Sequence, residues 1–153
     1  MRAIDSTGPD LVPDGPKAEL ERRCDAIEAG YEFMLAYASR GLSTEADGAS
    51  EIRGYLRGFD TALTGFPEFL TLFVQTLKLD STEYRDFVSL FERDARATQV
   101  IIRLVLAQPS LSSQLIDNLN ASIHLRTLLT NLFLIDEILK KHVVKAHGLS
   151  PEP

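Results

Sequence analysis

Residues 110–148 read SLSSQLIDNLNASIHLRTLLTNLFLIDEILKKHVVKAHG, and the apolar face of this stretch changes side halfway along. At 3.6 residues per turn, Leu115, Ile116, Leu119 and Ile123 share one face of a helix. Leu125, Leu128, Leu132, Ile135, Leu139 and Val143 share another, roughly 170° away by the 100° step per residue. A straight helix with one neighbour cannot bury both. The segment is therefore expected to kink or split near Asn120, where Asn118, Asn120 and Ser122 supply side chains able to cap a new helix. Its second half is apolar nearly all round. Leu129, Phe133 and Leu134 fall where the main stripe leaves room for solvent, so this half is expected to be central in its bundle or covered on a second side by another chain.

Four further helical segments precede it, and no convincing strand. The first spans about 16–40, with Pro16 in the first turn, Gly41 as the stop, and Leu20, Cys24, Ile27, Tyr31, Met34, Leu35 and Ala38 on one face. A polar loop at 41–48 leads to a second, about 50–64, with Ile52, Tyr55, Leu56, Phe59 and Leu63 inward and Arg53, Arg57 and Asp60 outward. Gly65 ends it. A short third segment covers 67–77. A long fourth covers 81–108, opened by an Asp80–Glu83 capping pair and closed before Pro109. Its inward face is Tyr84, Phe87, Val88, Phe91, Ala95, Ile102, Val105 and Leu106. Short connections between such segments place neighbours side by side. The expected fold is all-α: a single-domain antiparallel bundle of four to five helices over 17–148, with a disordered tail at 1–16 and a short tail at 149–153.

The chain has 153 residues, enough to bury a core without staples. Its single cysteine, Cys24, rules out an internal disulfide. A net charge of −6 argues against non-specific binding to nucleic acid or an anionic membrane. The proline- and aspartate-bearing start has no apolar core of a secretory signal, and no run of eighteen apolar residues exists, so a cytoplasmic protein without membrane insertion is expected.

Chemistry-bearing patterns are sparse. Ser113, Asp117, Asn120, His124 and Asn131 lie in one narrow sector if the last helix is continuous, and this stripe is expected to face water. Asp117 orienting His124 as an acid–base pair is the sharper alternative, but two helical turns, about 10 Å, separate them. A di-iron centre needs Glu-x-x-His pairs, and none of His124, His142 and His147 follows a Glu by three residues, so no metal and no cofactor are expected. His142 and His147 lie among Lys140, Lys141 and Lys145, which complement the negative end of a helix dipole. Cys24, on an apolar face with no His near it in sequence, reads as a small buried hydrophobe. Gly54-x-x-x-Gly58 lets a backbone approach closely, with packing inside the fold ahead of a partner's docking groove.

Arginine outnumbers lysine eleven to five, and Arg85, Arg93, Arg96 and Arg103 cluster on the fourth helix. The common reading of such a strip is a solvated, salt-bridged face. Val100 among them is a residue that a solvated face does not require. The leading expectation is a non-catalytic accessory or regulatory protein acting through protein–protein contact, with a homodimer as one form. Arg85, Arg96, Val100, Arg103, Leu129 and Phe133 are the interface candidates. The second reading is a small-molecule or cofactor-binding bundle with a pocket near Tyr55, Phe59, Tyr84, Phe91 and His124. The third is a small all-α enzyme using Asp117, His124 or Cys24.

Overall fold

The structure, a computed structural model, describes the backbone of residues 4–44, 49–79 and 81–146, and the side chains of 15–44, 51–79 and 81–143. The described residues are all-helical, with six helices and no strand. These are α1 (Ile4–Ala38), α2 (Ala49–Leu63), α3 (Phe66–Thr76), α4 (Thr82–Leu106), α5 (Ser113–Asn120) and α6 (Ile123–Ala146). The count exceeds the expected four to five because the final segment divides outright. Helical backbone in α1 begins at Ile4, well before the start expected at Pro16. Each proline there keeps a helical φ and forfeits one backbone donor. Asp80 of the expected capping pair, His147, Gly148 and the tail 149–153 lie outside the described residues, as does the side chain of Lys145.

One hydrophobic cluster runs through all six helices. The spacing rules that define each face hold for most of its members: Leu20, Ile27 and Met34 in α1, Ile52, Leu56, Phe59 and Leu63 in α2, and Phe91, Ala95, Ile102 and Val105 in α4 are buried. α1 packs on α2 and α5 and less extensively on α6, while α4 is flanked by α2, α3 and α6. Two inward assignments fail at their edges. Leu35 and Tyr55 are both exposed, and Tyr55 stacks flat on Phe33 with ring centroids 4.4 Å apart. Both residues border the buried stripe, where the distance to the neighbouring helix decides what is covered.

The close approach of α1 and α2 depends on a different glycine from those the sequence singles out. A Cβ at Gly30 would lie 3.1 Å from Phe59 Cδ2 and 3.3 Å from the Tyr55 carbonyl oxygen. A Cβ at Gly54 or Gly58 would meet nothing within 4 Å. The Gly54-x-x-x-Gly58 line thus faces outward, which corrects its expected role in packing within the fold. Gly65 keeps the role expected of it: at φ 79 it turns the chain from α2 into α3.

Arginines close two helix ends. Arg23 of α1 donates from Nη1 to the carbonyls of Ala62 and Thr64, both at 2.8 Å, with its guanidinium over the Phe66 ring. Arg53 of α2 donates to Leu106 O and Gln108 O, each at 2.8 Å. Arg53 is therefore not an outward solvated residue. It satisfies carbonyls that the end of α4 leaves without intrahelical partners.

The junction of α5 and α6 takes the form that the face switch requires. α5 ends at Asn120 with Ala121 as its cap, and α6 restarts at Ile123. The Ser122 hydroxyl accepts from the His124 backbone N–H at 3.2 Å, and Arg126 Nη1 donates to the Asn120 carbonyl at 3.4 Å. With the helix broken, Ile116 and Leu119 turn to the core, whereas Ile123 is released to solvent.

Candidate interaction surface

α4 and α6 lie side by side and run in opposite directions, since Thr98 Oγ1 donates to His124 O while Asp94 Oδ2 accepts from Asn131 Nδ2 at 2.9 Å. Each helix buries one stripe. α4 turns Phe91, Ala95, Thr98, Ile102 and Val105 inward, and α6 turns Leu125, Leu128, Leu132, Ile135 and Leu139 inward. Each also carries apolar side chains on its outer flank. Val100 is 65% exposed, Leu104 63%, Ile123 72% and Leu134 54%, and Leu90 is partly exposed. The Asp94–Asn131 bond lies in the seam between the two flanks. Near the start of α4 the seam opens into an apolar cleft of about 250 Å³ lined by Glu83, Tyr84, Phe87, Leu134, Ile135 and Ile138. Leu72 on α3 and Leu35 on α1 are exposed elsewhere, and scattered residues of that kind are ordinary. On α4 and α6 the exposed residues share one face, which is not ordinary.

The interface candidates separate into different surroundings. Val100 sits on this face. Arg96 is joined to Glu92 at 2.6 Å and Arg103 to Asp60 at 3.0 Å, and each carboxylate raises its partner's pKa through hydrogen bonding and charge. Arg103 thereby ties α4 to α2. Arg85 is exposed and borders a groove with Val74, Gln75 and Val88. Phe133 is exposed on the other flank of α6, the one that carries Lys140. Leu129 is only 6% exposed, and this corrects its place among the surface candidates. It belongs instead to the core cluster, and α1 is among the helices packed on α6.

The pocket candidates do not converge. Phe59 and Phe91 are wholly enclosed, and Phe91 meets Phe66 edge-on at 5.1 Å. Tyr55 is on the surface against Phe33, Tyr84 lines the α4–α6 cleft, and His124 is exposed at the start of α6. Three groups weighed for catalysis also lie apart. Asp117 is exposed in the second half of α5, His124 follows the helix break, and Cys24 is buried in α1. Burial, then the charges of Asp136 and Glu28, push the Cys24 thiol up to about 12, so it stays protonated and inert.

The polar stripe of the last segment needs correcting as well. Ser113 and Asn120 are buried rather than facing water. Ser113 Oγ donates to Tyr37 O at 2.7 Å and accepts from Leu42 N at 2.9 Å, and its own N–H donates to Leu42 O. The Tyr37 hydroxyl donates to Leu111 O. This network fastens the start of α5 to the end of α1. Thr98 is a further buried polar residue that periodicity misses, since its helix position is apolar in character and its hydroxyl finds a carbonyl across the seam.

Among the described residues no group of three or more His, Cys, Asp and Glu side chains is gathered as a metal site would need, and no helix is long and apolar enough to cross a membrane. No known protein family, curated protein sequence or solved structure matches this chain.

Proposed function

We propose that this is a non-catalytic accessory or regulatory protein of the cytoplasm that works by protein–protein contact through the outer face of α4 and α6. In this reading residues 17–148 form one domain, an antiparallel bundle that presents the face rigidly. The observation that carries it is the set of exposed apolar side chains on these two helices, Leu90, Val100, Leu104, Ile123 and Leu134. Exposing them to water forgoes about 25 cal/mol per Å² of apolar area that a partner would recover. The arrangement of an apolar strip bordered by Arg93, Arg96 and Arg103 also matches the composition of interface centres and rims, where arginine is enriched.

The test compares two baits in an extract of the native host: the wild-type protein and a Val100→Glu/Ile123→Glu variant whose helical circular dichroism is unchanged. A protein retained by the first and lost by the second supports the reading. Identical sets of retained proteins from both baits would remove it.

A further inference from the structure

We infer that the occupant of the α4–α6 face is a second copy of this chain, docked by antiparallel pairing of α4 with its counterpart about a two-fold axis. The inference rests on the face proposed above as an interaction surface and names its partner. Along α4 and its C-cap, Asp86, Leu90, Arg93, the half-buried Ala97, Val100, Leu104 and Ala107 recur with the 4-3-4-3-4-3 spacing of a coiled-coil seam. This seam is separate from the inward stripe through Phe91, Ala95, Thr98, Ile102 and Val105. Small Ala97 near its middle permits a close crossing. α4 thus carries a second line on which Leu90, Val100 and Leu104 are apolar and left uncovered by the fold.

The face is complementary to itself in one direction. Leu104 protrudes at one end of α4, and the 250 Å³ apolar cleft of Tyr84, Phe87, Leu134 and Ile138 opens at the other. A two-fold axis crossing α4 near the level of residue 95 sets Leu90 opposite Val100 of the second copy. The same register brings Leu104 of the second copy to the level of Asp86, at the mouth of the cleft. Each copy thus gives a knob and receives one, as an isologous interface requires.

The charges agree with the same direction. The start of α4 carries Glu83 and Asp86, and its later half carries Arg93, Arg96 and Arg103. Antiparallel pairing brings Asp86 to the Arg103 end of the second copy. Arg103 engages Asp60 through Nε, which leaves its other donors available. Arg93, which has no ion pair or hydrogen bond among the described residues, comes to the level of the small Ala97 of the second copy. Parallel pairing would instead stack Arg93 on Arg93 and leave the cleft empty.

Light scattering on the size-fractionated full-length protein tests this directly. The expected mass is twice that of the chain, falling to one chain for Leu104→Glu and for Leu134→Glu, with helical circular dichroism retained in both. Orientation is read by mixing Leu90→Cys protein with Val100→Cys protein and adding a short bismaleimide. The mixture is expected to cross-link at least tenfold more than either variant alone, because Cys24 is buried and each new thiol faces the other. A wild-type monomer up to high micromolar concentration overturns the inference, as does a dimer that survives both glutamate variants or cross-links within each single variant. A monomer that still captures a host protein through Val100 and Ile123 overturns this inference alone. A dimer formed through this face with no face-dependent capture overturns the wider accessory role.

Discussion

At the scale of single residues, the backbone contacts of small side chains decide more than their position in a motif. Gly58 faces open space in a helix, so Gly58→Ala is expected to stabilise the fold by about 0.5–1 kcal/mol through helix propensity alone. Gly30→Ala should destabilise it by about 1–3 kcal/mol, since the new methyl meets the Tyr55 carbonyl, which cannot rotate away. Urea unfolding of the two variants gives opposite signs if this account holds. Ser113→Ala leaves the Leu42 N–H and the Tyr37 carbonyl each short of a buried partner, at a cost of about 1–3 kcal/mol. A loss under half a kcal/mol in the same measurement would show that the network does not hold α5 in place. These roles were only partly legible beforehand. Periodicity assigns Ser113 to a polar stripe, and only the fold shows that the stripe is plugged by the end of α1.

At the scale of elements, helix ends and seams carry the predictions. Arg53 donates to two carbonyls at the end of α4, and charge-assisted bonds of this kind place the loss in Arg53→Ala at about 1.5–3 kcal/mol. Arg53→Lys should recover less than half of it, because an ammonium cannot reproduce the planar fork. Thermal unfolding of the three proteins orders them.

Stability at the α1–α6 seam is expected to depend on pH. Burial, then Asp25 and Asp136, raise the pKa of Glu28, while Lys140 partly offsets them. A carboxyl whose folded pKa lies above its unfolded value binds its proton more readily in the folded state. Its contribution is present at pH below the unfolded value and is lost as pH rises through the folded one. Glu28→Gln is therefore expected to be more stable than wild type at neutral pH and to show a flatter stability profile across the weakly acidic range. Parallel profiles for the two proteins would contradict this.

The elements themselves were largely readable from sequence. Amphipathic spacing located α1 through α4 to within a turn or so, apart from the start of α1, and the face switch located the break between α5 and α6. Arg53 and Leu129 were misread for a shared reason. Their surroundings come from a different helix, and periodicity within one helix carries no information about that neighbour.

At the scale of the whole molecule, the outer face of α4 and α6 is the feature that folding leaves unused. Mass action links its use to stability: if two copies meet there, the wild-type melting temperature rises with protein concentration, and that of Leu104→Glu does not. A melting temperature independent of concentration in both would place the chain among monomers.

The sequence by itself determined that the described residues are all-helical, where most helices run, and that the last segment must break near Asn120. Those conclusions follow from the period of apolar residues, which is a local property of the chain. Tertiary structure alone decided that Gly30 and not Gly54 sets a helix contact, that Ser113 and Asn120 are buried, that Arg23 and Arg53 cap other helices, and that Leu104, Ile123 and Leu134 share one exposed face. Each of these depends on which helix lies beside which and in what direction. That pairing is set by the summed fit of faces across the core, and no single stretch of sequence contains it.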